Sequence, residues 1–108
     1  MTSMLSSISV ACYRPKPGRE EALMVEVHNH LPPLRAQGLV TERASIVMRT
    51  QDGTIIEIFE WVSQEAIADA HSNPVVLEIW NRFEAVCDYV VPANLPEFKK
   101  MFAHFEPV

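Results

Sequence analysis

The sequence predicts a single α+β domain, residues 1–108, with two helical regions on one face of an antiparallel sheet. Three observations support this fold class. Stretches that alternate between apolar and polar residues occur near both ends of the chain and in a central hairpin, as in half-buried strands. Apolar residues at helical spacing precede and follow that hairpin. Of the 108 residues, 48% are hydrophobic and 21% are charged, which is typical of one globular core.

The N-terminal part of the chain predicts a strand and then an interrupted helix. Residues 8–14 alternate in hydrophobicity, and the segment Pro15–Gly18 ends this strand. Because prolines lack an N–H and disfavour helical conformation in the preceding residue, Pro32-Pro33 must kink or interrupt the helix, and Gly38 then ends it. The helix begins near Glu20, and its apolar face consists of residues at helical spacing: Leu23, Val27, His30, Leu31 and Leu34.

The centre of the chain predicts a β-hairpin of residues 44–50 and 54–62 around Asp52-Gly53. A two-residue turn pairs Gln51 with Thr54 and places Met48 opposite Glu57, on a face that is otherwise apolar. The opposite face also carries branched apolar side chains, so both faces need to be covered. Because a short chain supplies helices for only one face, we expect a second copy to cover the other. The branched residues of that second face are Val47, Ile56, Ile58 and Val62.

The C-terminal half predicts capped helices and a last strand. Ser63 is the expected cap of one short helix, and Asn73-Pro74 is the expected start of a longer one. Residues 101–106 read as the final strand. The order βαββαβ describes a ferredoxin-like sandwich, a four-stranded antiparallel sheet with helices on one face. The buried stripe of the longer helix is predicted to contain Val76, Ile79, Trp80, Phe83, Val86, Cys87 and Val90.

Composition and charge exclude several functional classes. The net charge of −5 disfavours nucleic acid and anionic membranes as partners. The two cysteines do not form a closely spaced pair, and His28 and His30 point in different directions from a helix, so we expect no metal site. The chain begins with neither a basic segment nor a continuous apolar run, and no stretch reaches transmembrane length. We therefore expect a soluble cytoplasmic protein.

Three short motifs carry a resemblance to a known family. They are Glu57-Ile58-Phe59-Glu60-Trp61, Ser63-Gln64-Glu65-Ala66 and His71-Ser72-Asn73-Pro74. With them the chain resembles the dimeric α/β-barrel superfamily, and within it the antibiotic biosynthesis monooxygenase type. The resemblance implies a homodimer whose subunits each hold a small apolar or aromatic molecule between sheet and helices. Quinone-forming members let a phenolic substrate reduce dioxygen itself, which implies an oxidoreductase without a cofactor.

The family's functional positions are matched only in part. Trp61 corresponds to the tryptophan of strand three, whereas Glu57 stands at the position of an asparagine and Ile67 at that of a helical tyrosine. Haem-degrading relatives have an asparagine, a tryptophan and a haem-binding histidine at the positions of Ala11, Ala70 and Trp80. The resemblance therefore implies cofactor-independent oxygenation rather than haem degradation.

Glu57 is the first candidate for chemistry, because alternation directs its carboxylate into the apolar face under the helices. A desolvated carboxyl group there would act as a general base or as a donor to a ligand oxygen. The alternative is a Glu57 that pairs with Arg14, Arg49 or a histidine. His71, in the break before the last helix, is the second catalytic candidate. The expected ligand-binding residues are Trp61, Trp80, Met48, Phe59 and Phe83.

Two function classes follow from these residues. The first is a monooxygenase-like enzyme that acts on a small aromatic or polyketide-like molecule. The alternative is a non-catalytic or stress-associated homodimer that binds such a molecule, and a Glu57 closed off in an ion pair would favour this alternative. A haem-linked role through His71 is a third, less favoured possibility.

Overall fold

A long strand near the N-terminus lies inside the sheet. The computed structural model describes residues 5–108, and within them β1 spans Ser7–Pro15. β1 pairs along most of its length with β3 (Ile55–Trp61) and at its end with β4 (Cys87–Tyr89). β2 (Ile46–Arg49) pairs with β3 and with β5 (Glu106–Pro107). All pairs are antiparallel, and the described strands form one sheet in the order β4-β1-β3-β2-β5.

Helices cover one face of this sheet, as the sequence predicts. They are α1 (Glu20–His28), α2 (Leu31–Ala36), α3 (Gln64–Ala70) and α4 (Pro74–Val86). The main core lies between them and the sheet face that carries Tyr13, Phe59 and Trp61. We call this face the helix face and the opposite one the second face. An α+β fold with one antiparallel sheet is thus confirmed.

Local sequence signals account for where the helices begin and end. Pro32-Pro33 divides the first helical region, and both prolines lie in the first turn of α2, where a missing N–H costs little. Gly38 follows α2 with a φ of 72°, a conformation that glycine adopts most easily. The Ser63 hydroxyl accepts from the Ala66 N–H at the start of α3, and the Asn73 side chain caps α4. These predictions are confirmed.

The last helix was predicted to continue through Val90, and this prediction is wrong. α4 ends at Val86, and the chain continues in extended conformation from Cys87 as β4. The end of β1 offers free backbone groups there, and the Val90 N–H donates to the Cys12 carbonyl at 2.9 Å. Strand pairing therefore outweighs the helical spacing of residues 87–90, which are rich in side chains that suit strands.

The predicted register of the hairpin is also wrong. The Thr50 N–H donates to the Thr54 carbonyl, so the loop has three residues, and Gly53 within it has a φ of 92°. Three-residue hairpin loops place a glycine in this conformation. The longer loop shifts the pairing by one residue, so that Val47 faces Glu57 and Met48 pairs with Ile56. A shift of one residue moves every side chain of β2 to the opposite face.

The chain itself covers part of the second face. Leu95 is fully buried in a small cluster with Cys12 and Ile56, and Val90 and Phe105 pack around it. The segment from 90 to 105 contains two short 3-10 turns, Pro92–Asn94 and Pro96–Lys99. Of the strand predicted at 101–106, only Glu106 belongs to a strand, as the first residue of β5. The described sheet therefore has five strands and not the expected four, and the chain itself covers part of the face that we expected a second copy to cover. The uncovered part carries Ile8, Val10 and Ile46, each at least 45% exposed.

Candidate functional site

Glu57 lies on the helix face of β3 and is only 1% exposed. One of its oxygens, Oε1, accepts a hydrogen bond from the Tyr13 hydroxyl at 2.7 Å. The same oxygen lies 2.8 Å from Nδ1 of His30. An ionised carboxylate has no proton to donate, so the Nδ1–H of His30 must be the donor to it. With an ionised Glu57, the arrangement therefore places a proton on Nδ1 of His30.

The break between α1 and α2 places His30 above Glu57. Asn29 ends α1, and His30 directly precedes α2, whose start is fixed by Pro32-Pro33. The imidazole is 3% exposed and lies edge-on to the rings of Phe59 and Phe83, each 5.2 Å away. These contacts hold the ring in one orientation. Its second nitrogen, Nε2, has no hydrogen-bond partner among the residues that the structure describes.

A cavity of about 310 Å³ opens beside this imidazole, between the sheet and α4. His30 and Tyr13 line it, whereas Glu57 does not. Nε2 itself is buried, and a buried polar atom without a partner costs free energy, which a ligand hydroxyl that reached it would recover. The remaining lining residues are Ser9, Ala11, Phe59, Trp61, Trp80, Phe83, Glu84 and Tyr89.

The pKa of Tyr13 is raised well above its usual value near 10. Burial is the largest cause, and the neighbouring Glu57 carboxylate adds to it by repelling a phenolate and accepting the hydroxyl proton. The Tyr13 hydroxyl therefore keeps its proton at neutral pH and donates a hydrogen bond to Glu57. Together, Tyr13 and His30 supply two donors to one buried carboxylate oxygen, and these bonds offset the cost of burying its charge.

This environment predicts a loss of stability in alkaline solution. Below about pH 10, Tyr13 is protonated in both the folded and the unfolded chain, and its contribution is fully present. Above that pH, Tyr13 loses its proton in the unfolded chain before it does so in the folded chain, because folding raises its pKa. The free energy of unfolding therefore falls by about 1.4 kcal/mol per pH unit from this group. Burial also raises the pKa of Cys87 to about 11 and that of Tyr89 to about 12, and both add to the fall.

Urea unfolding at several pH values between about 8 and about 11 measures this effect. The Tyr13→Phe variant keeps the ring but has no ionisable hydroxyl, so its stability is expected to fall less steeply above about pH 10. Cys87 and Tyr89 are present in both proteins and cancel in the comparison. Equal slopes for the two proteins would contradict a raised pKa of Tyr13.

Trp61 has a polar contact of its own in the cavity wall. Its indole N–H donates to the Ser9 hydroxyl at 2.9 Å, and its ring packs on Phe59. The side chain is 5% exposed. Trp61 therefore both fills the core and lines the cavity, and the same holds for Phe59 and Phe83. Trp80, the fourth aromatic residue predicted to bind a ligand, also lines the cavity.

Besides Glu57, two of the predicted site residues do not line this cavity. Met48 lies on the second face and packs against the small cluster around Leu95, because of the shifted register. His71 is exposed, and its Nδ1 lies 2.9 Å from the Ile67 carbonyl oxygen. Its ring contacts Trp80, with 5.2 Å between the ring centroids. His71 can thus support the cavity wall without reaching a ligand there.

His30 and Tyr13 were not among the predicted site residues. The sequence places His30 on the buried face of the first helical region and Glu57 on the strand face that this helix covers. Two buried ionisable side chains on facing elements need each other as partners. The sequence left Arg14, Arg49 and a histidine as alternative partners of Glu57, and it could not select His30 without the path of the chain between α1 and α2.

A larger cleft of about 450 Å³ lies between the β2–β3 loop and the C-terminal segment. Its lining includes Asp52, Glu97, Lys100 and His104. Glu97 accepts from the Gln51 N–H at 3.0 Å, Asp52 accepts from the Thr54 N–H at 3.0 Å, and Lys100 and His104 are exposed. The smaller cavity is the better candidate, because it contains a buried histidine with a free nitrogen.

The described part of the chain contains neither a grouped set of metal ligands nor a membrane-spanning helix. Among residues 5–108, no three or more His, Cys, Asp or Glu side chains are grouped so that they could hold a metal ion. No helix in the same range combines the length and apolar character needed to cross a membrane. Comparison with protein-family models and with curated proteins finds no match to this sequence.

Proposed function

We propose that this chain is a monooxygenase-like enzyme of the antibiotic biosynthesis monooxygenase type, acting on a small aromatic or polyketide-like molecule in the cavity beside His30. One observation supports this most strongly. A buried imidazole, held through Nδ1 by a carboxylate, reaches an aromatic cavity and leaves Nε2 unpaired. This is the arrangement of a general base whose tautomer and orientation are fixed by a third group.

In the proposed reaction, Nε2 of His30 takes the proton of a phenolic hydroxyl. The imidazolium that forms is stabilised by Glu57 at 2.8 Å, whose carboxylate keeps its negative charge. The phenolate then transfers electrons to dioxygen. One oxygen atom becomes the second carbonyl oxygen of a quinone, and the other leaves as water with the phenolic and ring hydrogens. Glu57 is thus a positioning residue, and the role of base first assigned to it belongs to His30.

The strand order supports membership of the dimeric α/β-barrel superfamily. The first four strands follow the order β4-β1-β3-β2, with all four helices on one face, which is what the ferredoxin-like βαββαβ arrangement requires. β5 is then an addition at the edge. The proposed ligand site between sheet and helices is the position that the resemblance implies.

Oxygen uptake with dihydroxyaromatic compounds tests the proposed activity. We expect wild-type protein to consume oxygen and His30→Gln to be slower by a factor of about 100 or more, as for the loss of a general base. Glu57→Gln is expected to be slower as well, because an amide cannot stabilise the imidazolium. His28→Gln is the matched control, since His28 is exposed on α1 and does not line the cavity. Equal rates in wild type and His30→Gln would contradict the proposed role.

A second candidate is a protein that binds the molecule without changing it. The observation that favours it is the pairing of Glu57 with both Tyr13 and His30, which leaves that carboxylate itself out of the cavity. Native mass spectrometry of freshly purified protein distinguishes the two candidates. An unchanged bound molecule, together with no oxygen uptake, supports binding alone.

We also propose that the protein forms a homodimer through the uncovered part of the second face. Val10 and Ile46 both pair with Ile58, so three branched side chains form a row across β1, β3 and β2. Val10 is 45% exposed and Ile46 58% exposed. A second copy would bury this row against its own, because a twofold axis brings identical patches together.

Sedimentation velocity tests the homodimer. We expect wild type to sediment as a dimer and Val10→Lys to sediment as a monomer, because a buried lysine without a partner is costly. Val25→Lys is the control, since Val25 is similarly exposed but lies on α1. A wild-type monomer would contradict the proposal.

A further inference from the structure

Aromatic rings form most of the wall of the cavity between the sheet and α4. Both tryptophans and both tyrosines of the chain line it, together with Phe59 and Phe83. The faces of such rings carry partial negative charge, so several of them around one cavity attract an organic cation. Because rings alone also suit an uncharged aromatic molecule, the charged groups around the cavity decide which ligand it prefers.

Glu84 is the one acidic residue that lines the cavity, and neither a lysine nor an arginine lines it. Its side chain is exposed on α4, where a glutamate carries a negative charge at neutral pH. Within residues 5–108, no basic side chain forms an ion pair with this carboxylate. The ammonium of Lys16 lies nearby but donates to the backbone carbonyl of Glu84, at 2.8 Å. The carboxylate is therefore available to a cation that the chain itself does not supply.

Glu84 lies where the cavity opens to solvent, next to two of the rings. Trp80 precedes it by one turn of α4, and residues at this spacing have Cβ atoms roughly 5 to 6 Å apart. Tyr89 lines the same end and is 54% exposed. Burial is the largest cause of the raised pKa of Tyr89, and the negative charges of Cys87 and Glu84 add to it. We call Trp80, Glu84 and Tyr89 the mouth of the cavity.

We propose that the mouth binds the ammonium group of an organic cation, whose apolar part lies in the aromatic cavity. The Trp80 ring and the Glu84 carboxylate attract the same positive charge. A quaternary ammonium suits this place, because it has no N–H group that would need an acceptor in an apolar wall. The inference rests on the proposed function only in taking this cavity as the ligand site. It requires neither a phenolic hydroxyl nor contact with His30.

Calorimetric binding of three probes of similar shape tests the preference for positive charge. Benzyltrimethylammonium is a cation. In dimethylbenzylcarbinol a carbon replaces its nitrogen and a hydroxyl replaces one methyl group, and phenylmethanesulfonate is an anion with the same ring. At about pH 8, we expect wild type to bind the cation roughly tenfold more tightly than the carbinol, and the sulfonate most weakly. A carbinol that binds as tightly as the cation would overturn the proposal.

Glu84→Gln removes the charge at the mouth and keeps the size of the side chain. We expect its preference for the cation over the carbinol to fall to about threefold or less. Binding of the carbinol by this variant would show that the cavity is intact. Glu78→Gln is the matched control, because it changes the net charge equally from an exposed position on α4 that does not line the cavity. An unchanged preference in Glu84→Gln, or an equal loss in both variants, would overturn the role of Glu84.

Trp80→Leu tests the contribution of the ring. Leucine keeps an apolar side chain but has no ring to attract a cation. We expect the preference for the cation over the carbinol to fall by a factor of about three, even if the affinity for both probes is lower. A preference equal to that of wild type would overturn the role of Trp80.

The probes separate this inference from the proposed function, because none of them has a phenolic hydroxyl. If wild type prefers the cation but consumes no oxygen with dihydroxyaromatic compounds, the proposed function fails and the cation site remains. If it consumes oxygen and shows no preference for the cation, the cation site fails and the proposed function remains. No measurable binding of any probe would also overturn the cation site.

Discussion

Replacing Glu57 with leucine is expected to lower the free energy of unfolding by about 3 to 5 kcal/mol. Leucine has a similar size but accepts no hydrogen bond. The Tyr13 hydroxyl and the Nδ1–H of His30 would both remain buried without their acceptor, and each such loss costs about 1 to 3 kcal/mol. Urea unfolding at neutral pH measures the effect, with fluorescence of the two tryptophans as the signal.

Glu57→Gln is the matched control for this substitution. Glutamine keeps one acceptor oxygen and nearly the same shape, so it can still accept from one or both donors. We expect it to lose less stability than Glu57→Leu. The opposite order, or a leucine variant as stable as wild type, would show that the hydrogen bonds to Glu57 do not stabilise the fold.

Phe83→Ala is expected to cost about 3 to 5 kcal/mol of unfolding free energy, as large-to-small changes in a core do. Phe83 is 1% exposed on α4, and its ring centroid lies 4.8 Å from that of Tyr13 and 5.2 Å from that of His30. The substitution removes the packing that joins α4 to both partners of Glu57. The same unfolding experiment measures it.

Phe98→Ala is the control for Phe83→Ala. Phe98 is 42% exposed and packs on Phe105 at the surface, so its loss is expected to cost about 1 kcal/mol or less. A loss of stability similar in the two variants would argue against the core position of Phe83.

Features governed by neighbouring residues could be predicted from the sequence. Ser63 and Asn73 cap their helices because a short polar side chain can satisfy backbone N–H groups two or three residues ahead. Pro32-Pro33 divides a helical region for equally local reasons. These signals need no knowledge of the rest of the fold, and the structure confirms each of them.

The length of a loop to within one residue, and the residue at which a helix gives way to a strand, could not be predicted in this way. An Asp-Gly sequence suits hairpin loops of two and of three residues, and the hydrogen bond from the Thr50 N–H to the Thr54 carbonyl shows the longer loop here. The wrong choice moved Met48 onto the face of Glu57. Likewise, residues 87–89 became a strand because β1 had free backbone groups beside them, which is a tertiary effect.

The buried position of Glu57 could be predicted from the sequence, whereas its partner could not. Alternation along β3 correctly placed Glu57 among aromatic residues under the helices, because that strand is regular. The partner of Glu57 depends instead on how the chain turns between α1 and α2. A single sequence gives the break at Pro32-Pro33 but not the direction in which His30 then points.

The last strand has a consequence for how this protein associates with itself. β5 has only two residues, one of them a proline, and Arg49 of β2 forms an ion pair with its Glu106 at 2.8 Å. Proline, fixed charge and short length all prevent a further chain from extending a sheet by backbone hydrogen bonds. This edge of the sheet therefore resists the strand-by-strand growth that produces fibrils.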